Sequence, residues 1–325
     1  MKGNGSKLMN LKDAVGKFLF DGAHISIGGF TVNRNPMAAV HEIIRSRVSG
    51  LHMYVHSNGQ GVDELIGAGC VSSIEIAYGA NGRFAPTCVR FRKAVERGTI
   101  AIEDYTNYQM TLRFLAGAMG VPFLPCRSAL GTDIVDTWGF SAQKRAEDPK
   151  FPDKKLEVVD NPFGQWADTS KVVLVPAIHP DVTFIHVQEA DQQGTSKIMG
   201  LSFADVEQAK ASKRLVITCE KLVDTETMRR HPEQNQIPGI YVDAVVHVPY
   251  GAYPTACYRY YDYDPTYLHE YFRDGQDDEQ NEQNRQRYVL GLERHEDLLK
   301  LVGKERLGQI AADPETGYAV NLKRV

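Results

Sequence analysis

Short runs of apolar and β-branched residues recur at 24–30, 51–57, 74–79, 99–105, 172–178, 182–189, 214–220 and 244–250. Between most of them apolar positions return every three or four residues. Runs of the first kind predict strands and the second kind helices. Pro36 precedes a helix predicted over 37–47, Pro86 one over 87–97, and Asn107 one whose apolar stripe is Leu112, Leu115, Ala116 and Met119. Several strands are apolar throughout, as a strand covered on both faces must be. The alternation predicts an α/β fold, an open and largely parallel sheet flanked by helices.

No internal repeat interrupts this pattern, so 1–325 reads as one domain with two departures. The segment 149–170, rich in Pro, Asp and Lys, predicts an excursion that is either a lobe boundary or a long loop. The stretch 265–303 reads as helical. Within it 276–286 is solvated, and Val289, Leu292, His295, Leu298, Leu299 and Val302 return at helical spacing to dock on the body or on a partner.

Composition narrows the class. The 325 residues, 42% hydrophobic and 24% charged, exclude collagen-like repeats, wholesale disorder and a disulfide scaffold. The longest apolar runs fall far short of the roughly 20 residues a membrane span requires, and the basic N-terminus is not followed by an uninterrupted apolar core. The expectation is a cytoplasmic protein without a membrane segment. With 37 basic and 41 acidic residues, the net charge of −4 offers no field for nucleic acid, so an anionic ligand must be met by a local pocket. Cys70, Cys88, Cys126, Cys219 and Cys257 form no CxxC pair.

Motifs for nucleotide, dinucleotide, zinc-protease or α/β-hydrolase chemistry are absent from the sequence. His52 and His56 share a predicted strand, but at period two their side chains stand too far apart for one metal ion; no metal or cofactor is signalled. What the chain does carry is a set of glycine-bearing turns at the carboxyl ends of predicted strands, where open α/β sheets bind ligands. They are Gly28-Gly29-Phe30, Ser57-Asn58-Gly59-Gln60-Gly61, Tyr78-Gly79-Ala80-Asn81-Gly82 and 103–107. Glycine lets backbone approach a ligand and leaves N–H groups to face an oxyanion. Each turn taken alone is also ordinary turn chemistry. Together, four in 107 residues predict a crevice.

These turns sit in longer stretches, ISIGGF with TVNRNP, SNGQGVDELIGAG, IEIAYGANGRF, RFRKAVERGTIAIEDY and GVPFLP with GTDIV. Later come Val159 to Phe163, His179 to Val182, Gln188 to Asp191, Ile237 to Gly239 and Pro249 to Ala252. In this order and spacing they resemble the family I CoA-transferases, their α subunits most of all and among those the branch acting on glutaconate, from about Met9 to the C-terminus. The resemblance implies the open α/β fold, a homologous β subunit with two of each in a heterotetramer, and CoA exchange between an acyl-CoA and a short dicarboxylic acid. It implies no cofactor, the CoA thioester itself being substrate. The nucleophile of such enzymes is a glutamate of the β subunit. No Ser-Glu-Asn-Gly nucleophile motif occurs here, which fits an α subunit with no catalytic residue of its own.

The resemblance also places substrate-binding positions at Gly28, Gly29, Asn58, Gln60, Asn81 and Asn107, and the turns themselves add Ser57 and Gly79. Gly59 stands where relatives have a second Asn, so that contact is lost or moved to Gln60. Ala80 replaces a Glu, and Asn107 shortens a glutamine that meets the substrate carboxylate. Of Arg34, Arg90, Arg92 and Arg127, the first and last lie beside predicted turns and are the candidates for a distal carboxylate; the competing reading pairs them with Asp63, Glu64, Asp104 or a partner. Relatives on the same scaffold hydrolyse a carbon-carbon bond in a ring-bearing CoA ester or decarboxylate a glutaconyl-type ester. In such a branch Glu103 would be the base; otherwise it accepts backbone N–H bonds. A third alternative is a non-catalytic acyl-CoA-binding subunit.

Overall fold

The computed structural model describes residues 5–320 and 322, so residues 1–4 of the basic N-terminus lie outside the described residues. Its centre is an eight-stranded sheet built from β1 (His24–Ile27), β2 (Leu51–Asn58), β3 (Val71–Gly79), β4 (Ala101–Asp104), β8 (Val182–Asp191), β9 (Ser196–Lys197), β10 (Arg214–Val223) and β11 (Ala244–His247). The order is β11-β10-β8-β1-β2-β3-β4, and β9 joins β8. Every pair along that path is parallel; only β9 runs antiparallel. The chain works outward from β1 through β2 to β4, then returns to β8 on the other side of β1. The order reverses between β1 and β8.

Helices cover both faces, which explains the continuously apolar strands. On one face α1 (Leu11–Phe18), α2 (Met37–Ser46) and α3 (Gln60–Gly67) bury Val15, Met37, Val40, Ile43, Val62 and Leu65 against Ile25, Met53, Ile74, Phe184 and Val246. The helix α4 (Val89–Glu96) begins at Val89, with Cys88 at its cap, rather than at 87. On the other face α5 (Asn107–Met119) brings Met110 and Phe114 onto Tyr54 and Tyr105.

The strand expected at 172–178 does not enter this sheet. It becomes β7 (Lys171–Pro176), the middle of an antiparallel three-stranded sheet with β5 (Phe123–Cys126) and β6 (Glu157–Asp160). That small sheet, with the short helices α6 (Asp133–Asp136) and α7 (Ala142–Glu147) between its strands, packs Cys126, Leu156, Val173 and Val175 on Leu112 and Leu115 of α5. Half of the predicted α5 stripe thus faces outward from the main sheet, and Met119 at its end is exposed.

After β8 come α8 (Asp205–Ala211), packed beside α5, and α9 (Thr225–Arg230). The C-terminal stretch is α10 (Pro265–Asp274), α11 (Asp278–Arg285), a π turn at Gln286–Leu290, α12 (His295–Val302) and α13 (Lys304–Ile310). No helix among the described residues is long and apolar enough to cross a membrane.

Candidate active site

The predicted turns converge at the carboxyl ends of β1 to β4. β1 stops at Ile27, three residues before the apolar run ends, because Gly29 turns the chain with φ +88. The following loop is held tightly enough that Thr31 (φ 48) and Arg34 (φ 51) also occupy the left-handed region. Neither glycine N–H is free for an oxyanion: Gly28 donates to the Phe184 carbonyl at 2.8 Å and Gly29 to Asp205 Oδ1 at 2.9 Å.

Asp205, at the first residue of α8, is the organiser of this loop. It is fully buried, and its other oxygen meets Arg34 Nη1 at 2.6 Å. Arg34 further donates to the carbonyls of His186 (2.9 Å) and Leu201 (3.1 Å). Its guanidinium therefore braces the loop, contrary to the expectation of a carboxylate clamp. Its partner is none of the acids anticipated. A single Asp in a stretch without a motif carried no signal for this role.

A buried hydroxyl at the end of β2 meets an exposed amide just after β4. Ser57 donates its hydroxyl to Asn107 Oδ1 at 2.6 Å. That fixes the Asn107 carboxamide with its nitrogen turned away, and this nitrogen has no acceptor among the described residues. Asn107 is exposed and opens α5, whose cap Thr106 satisfies the Gln109 N–H. The helix end and the amide nitrogen together suit a carboxylate or a developing oxyanion.

The remaining turn residues make contacts within the chain. Asn58 is buried, donates to the Gly28 carbonyl at 3.1 Å and accepts the Val62 N–H at 3.3 Å, tying β1 to the start of α3. Gln60, expected to reach the substrate, is fully buried. It donates to Glu64 Oε1 at 2.7 Å and accepts from Asn81 Nδ2 at 2.8 Å, so it faces the helical layer. Asn81 Oδ1 is buried without a hydrogen-bond partner and sits over Gly59. A Cβ on Gly59 would lie 2.1 Å from it, 2.5 Å from the Ala80 carbonyl and 2.8 Å from that of Thr31. The glycine that departs from relatives is required by this close approach. Gly79 ends β3 against Ile76 and Phe91.

The other candidate arginines lie elsewhere on the surface of the fold. Arg127 is exposed and donates to the Ala167 carbonyl at 2.9 Å; Arg90 pairs with Asp278 at 2.7 Å, and Arg92 bonds Gln276. Glu103 is buried beneath the small-sheet lobe. Arg145 meets both its oxygens, at 2.6 and 2.5 Å, while the N–H groups of Gly139 and Phe140 and the Tyr105 hydroxyl complete its shell. A carboxylate with every lone pair committed is not placed to abstract a proton. The N–H donors come from a distant segment rather than from the turn that follows.

His56, one residue before Ser57, is half-buried with its ring 6.1 Å from that of Phe30. Burial lowers its pKa and favours the neutral imidazole, and its Nδ1 lacks a partner. His52, far down the same strand, instead pairs with Glu75 at 3.2 Å. Among the described residues one trio, His186, Glu220 and Cys257, has ligand-type atoms close enough for a metal ion. Yet His186 Nε2 is bound to Glu220 at 2.7 Å, its Nδ1 to Thr218 at 2.9 Å, and burial pushes the Cys257 thiol far up. The trio reads as a satisfied core network.

A sheet whose order reverses at β1/β8, with glycine turns and a helix-borne amide at the carboxyl ends, is the setting in which comparison with known proteins becomes decisive. Residues 8–248 match the Coenzyme A transferase family. The chain belongs to that family. This transferase chain is 39% identical over 319 residues to the A (α) subunit of glutaconate CoA-transferase from Acidaminococcus fermentans, covering 98% of this chain and 99% of the relative. The A (α) subunit of 3-oxoadipate CoA-transferase from Pseudomonas knackmussii is 31% identical, over 80% of this chain and 85% of that one. The crystal structure of glutaconate coenzyme A-transferase from A. fermentans superimposes with a TM-score of 0.93 at 40% identity, over 97% of the transferase chain and 99% of its own. The decarboxylase AibA/AibB follows at 0.67 and 28%, over 86% and 99%.

Proposed function

We propose that this chain is the A (α) subunit of a two-subunit CoA-transferase that exchanges CoA between an acyl-CoA and a short dicarboxylic acid such as glutaconate. The observation that carries the reading is the end-to-end match to the A (α) subunit of glutaconate CoA-transferase in both sequence and backbone. A homologous β subunit, in an α2β2 assembly in the cytoplasm, supplies the nucleophilic glutamate.

The exchange conserves charge at each step. The β-subunit carboxylate attacks the thioester carbonyl, and CoA thiolate leaves to give an acyl-glutamyl anhydride. Thiolate then attacks the glutamyl carbonyl, releasing the first acid and leaving a glutamyl-CoA thioester. The acceptor carboxylate attacks that thioester, thiolate departs, and its return to the acyl carbonyl forms the new acyl-CoA and frees the glutamate. No proton, electron or cofactor is consumed. What this chemistry needs from the present chain is donors for carboxylates and oxyanions, and the Asn107 nitrogen held by Ser57 supplies one. Neutral amides bind an acid without burying a second charge. The commitment of Glu103 to Arg145 speaks against the hydrolase and decarboxylase alternatives.

The pair of subunits, co-purified and given acetyl-CoA with glutaconate, should yield glutaconyl-CoA and acetate in equal amounts by mass spectrometry. Hydrolysis without acceptor, or release of carbon dioxide, would overturn the reading.

A further inference from the structure

We propose that the hollow at the reversal point of the sheet, beside the glycine turn, is a subsite for the uncharged apolar or aromatic tail of an acyl group carried on CoA. The proposal rests on the CoA-transfer reading and extends its substrates beyond short dicarboxylates. The hollow is open to solvent on one side and offers about 480 Å³ between Phe30, Met199, Leu201, Phe203, Tyr258 and Tyr318. That volume and an aromatic lining are what small-molecule sites show, at the place where an open sheet reverses its order.

Phe30 belongs to both sites. Its backbone ends the Gly28-Gly29 turn, and its ring stacks on Phe203 at 4.7 Å and 12° to form a wall of the hollow. An acyl group whose carbonyl lies over the turn can therefore extend its tail across Phe30 without leaving the crevice.

The polar residues around the hollow choose the kind of tail. Three of them hold the walls: Arg34 on Asp205, His186 and Leu201; Gln188 on the carbonyls of Met199 and Tyr258 at 3.1 and 3.2 Å; Asp262 on the Ala319 N–H at 2.7 Å. The charge of Arg34 is opposed at 2.6 Å by Asp205. A distal carboxylate entering here would lose water beside an Arg34 whose charge Asp205 already meets. An apolar tail instead covers side chains now in solvent, Leu201 at 74% exposure and Tyr318 at 51%.

The test is equilibrium binding of 4-phenylbutyryl-CoA, glutaryl-CoA and acetyl-CoA to the co-purified pair of subunits by calorimetry. The subsite predicts that the phenylbutyryl ester binds at least about tenfold more tightly than the acetyl ester, and the glutaryl ester shows no such gain. Leu201→Glu alters a side chain that is mostly in solvent, so folding should survive, which a melting curve checks. It should bring the phenylbutyryl ester down to the acetyl value, and Phe203→Ala should weaken it also. Equal binding of the three esters, no binding of the phenylbutyryl ester, or a preference unaffected by Leu201→Glu in a folded variant would overturn the proposal. Binding is read without turnover, so the two claims fail separately. A pair that prefers the aryl ester but moves no CoA refutes the transfer reading alone, and one that moves CoA to glutaconate without that preference refutes the subsite alone.

Discussion

Arg34 and Asp205 meet almost wholly out of water, with Gly29 donating to the same carboxylate. Removing one partner strands the other's charge in the interior, a loss of roughly 3–5 kcal/mol, whereas removing both costs less. Arg34→Met should therefore lower the urea midpoint markedly, and Arg34→Met with Asp205→Asn should recover part of the loss. Equal midpoints for Arg34→Met and the parent protein would contradict the bracing role. Gly59→Ala forces a Cβ against three oxygens, two of them backbone. A loss of about 1–3 kcal/mol is expected in thermal unfolding, as for overpacking, and Asn81→Ala added to it should not restore stability because the carbonyls remain. Glu103→Gln should reduce stability through the buried Arg145 and leave transfer activity per folded molecule within a few-fold; loss of activity by a thousandfold with unchanged melting would instead place Glu103 in the chemistry. At this scale the sequence marks where ligand turns lie but not which way side chains point. Gln60 and Asn107 are both amides in predicted turns, yet one is sealed against Glu64 and the other opens a helix to solvent. That difference comes from the packing of α3 and α5, which no local pattern encodes.

Among the elements, the strands of the main sheet follow from their apolar runs because burial on both faces leaves a strong, unambiguous signal. The small sheet does not. β5 and β6 are four residues each, and β5 includes Pro125, so neither makes a pattern long enough to see. The C-terminal apolar positions return at helical spacing, but Gly291 follows a π turn and splits what reads as one helix into α11 and α12. One consequence of element packing is a pH response at the amino ends of β1 to β3, opposite the crevice. There the ring of His24 lies 4.4 Å from that of His52; His24 hydrogen-bonds Tyr54 and Asp148, and His52 hydrogen-bonds Ser73 and lies 3.2 Å from the Glu75 carboxylate. Burial, then the charge of His52, lowers the His24 pKa from 6.5 to about 4. Arg113 and His52 hold Glu75 down, from 4.5 to about 2, against the opposing effect of burial. In both cases the folded state binds fewer protons than the unfolded chain. The stability His24 confers is complete above pH 6.5 and is lost as pH falls through about 4; that from Glu75 goes lower still, between 4.5 and about 2. Urea midpoints should fall between pH 6.5 and 4.5, and His24→Asn should flatten that slope; parallel slopes would refute the assignment.

For the whole molecule, the order and spacing of many modest segments carry more than any one motif. That is why family and fold are legible end to end while the catalytic groups are not. The crevice presents donors but, among the described residues, no free nucleophile aimed into it: Glu103 is enclosed, the five cysteines are buried and the metal-like trio is saturated. That fits the proposal that the nucleophilic carboxylate comes from the partner subunit. The direct measurement is to incubate the co-purified subunits with acetyl-CoA, trap with borohydride, and weigh each protein by mass spectrometry. The expected result is a loss of about 14 or 16 Da, the reduction of one carboxyl to the alcohol or its aldehyde, on a glutamate of the β partner, with this chain unchanged and activity abolished. A mass change on this chain, or full activity after treatment with no change on either, would contradict the assignment of the nucleophile to the partner.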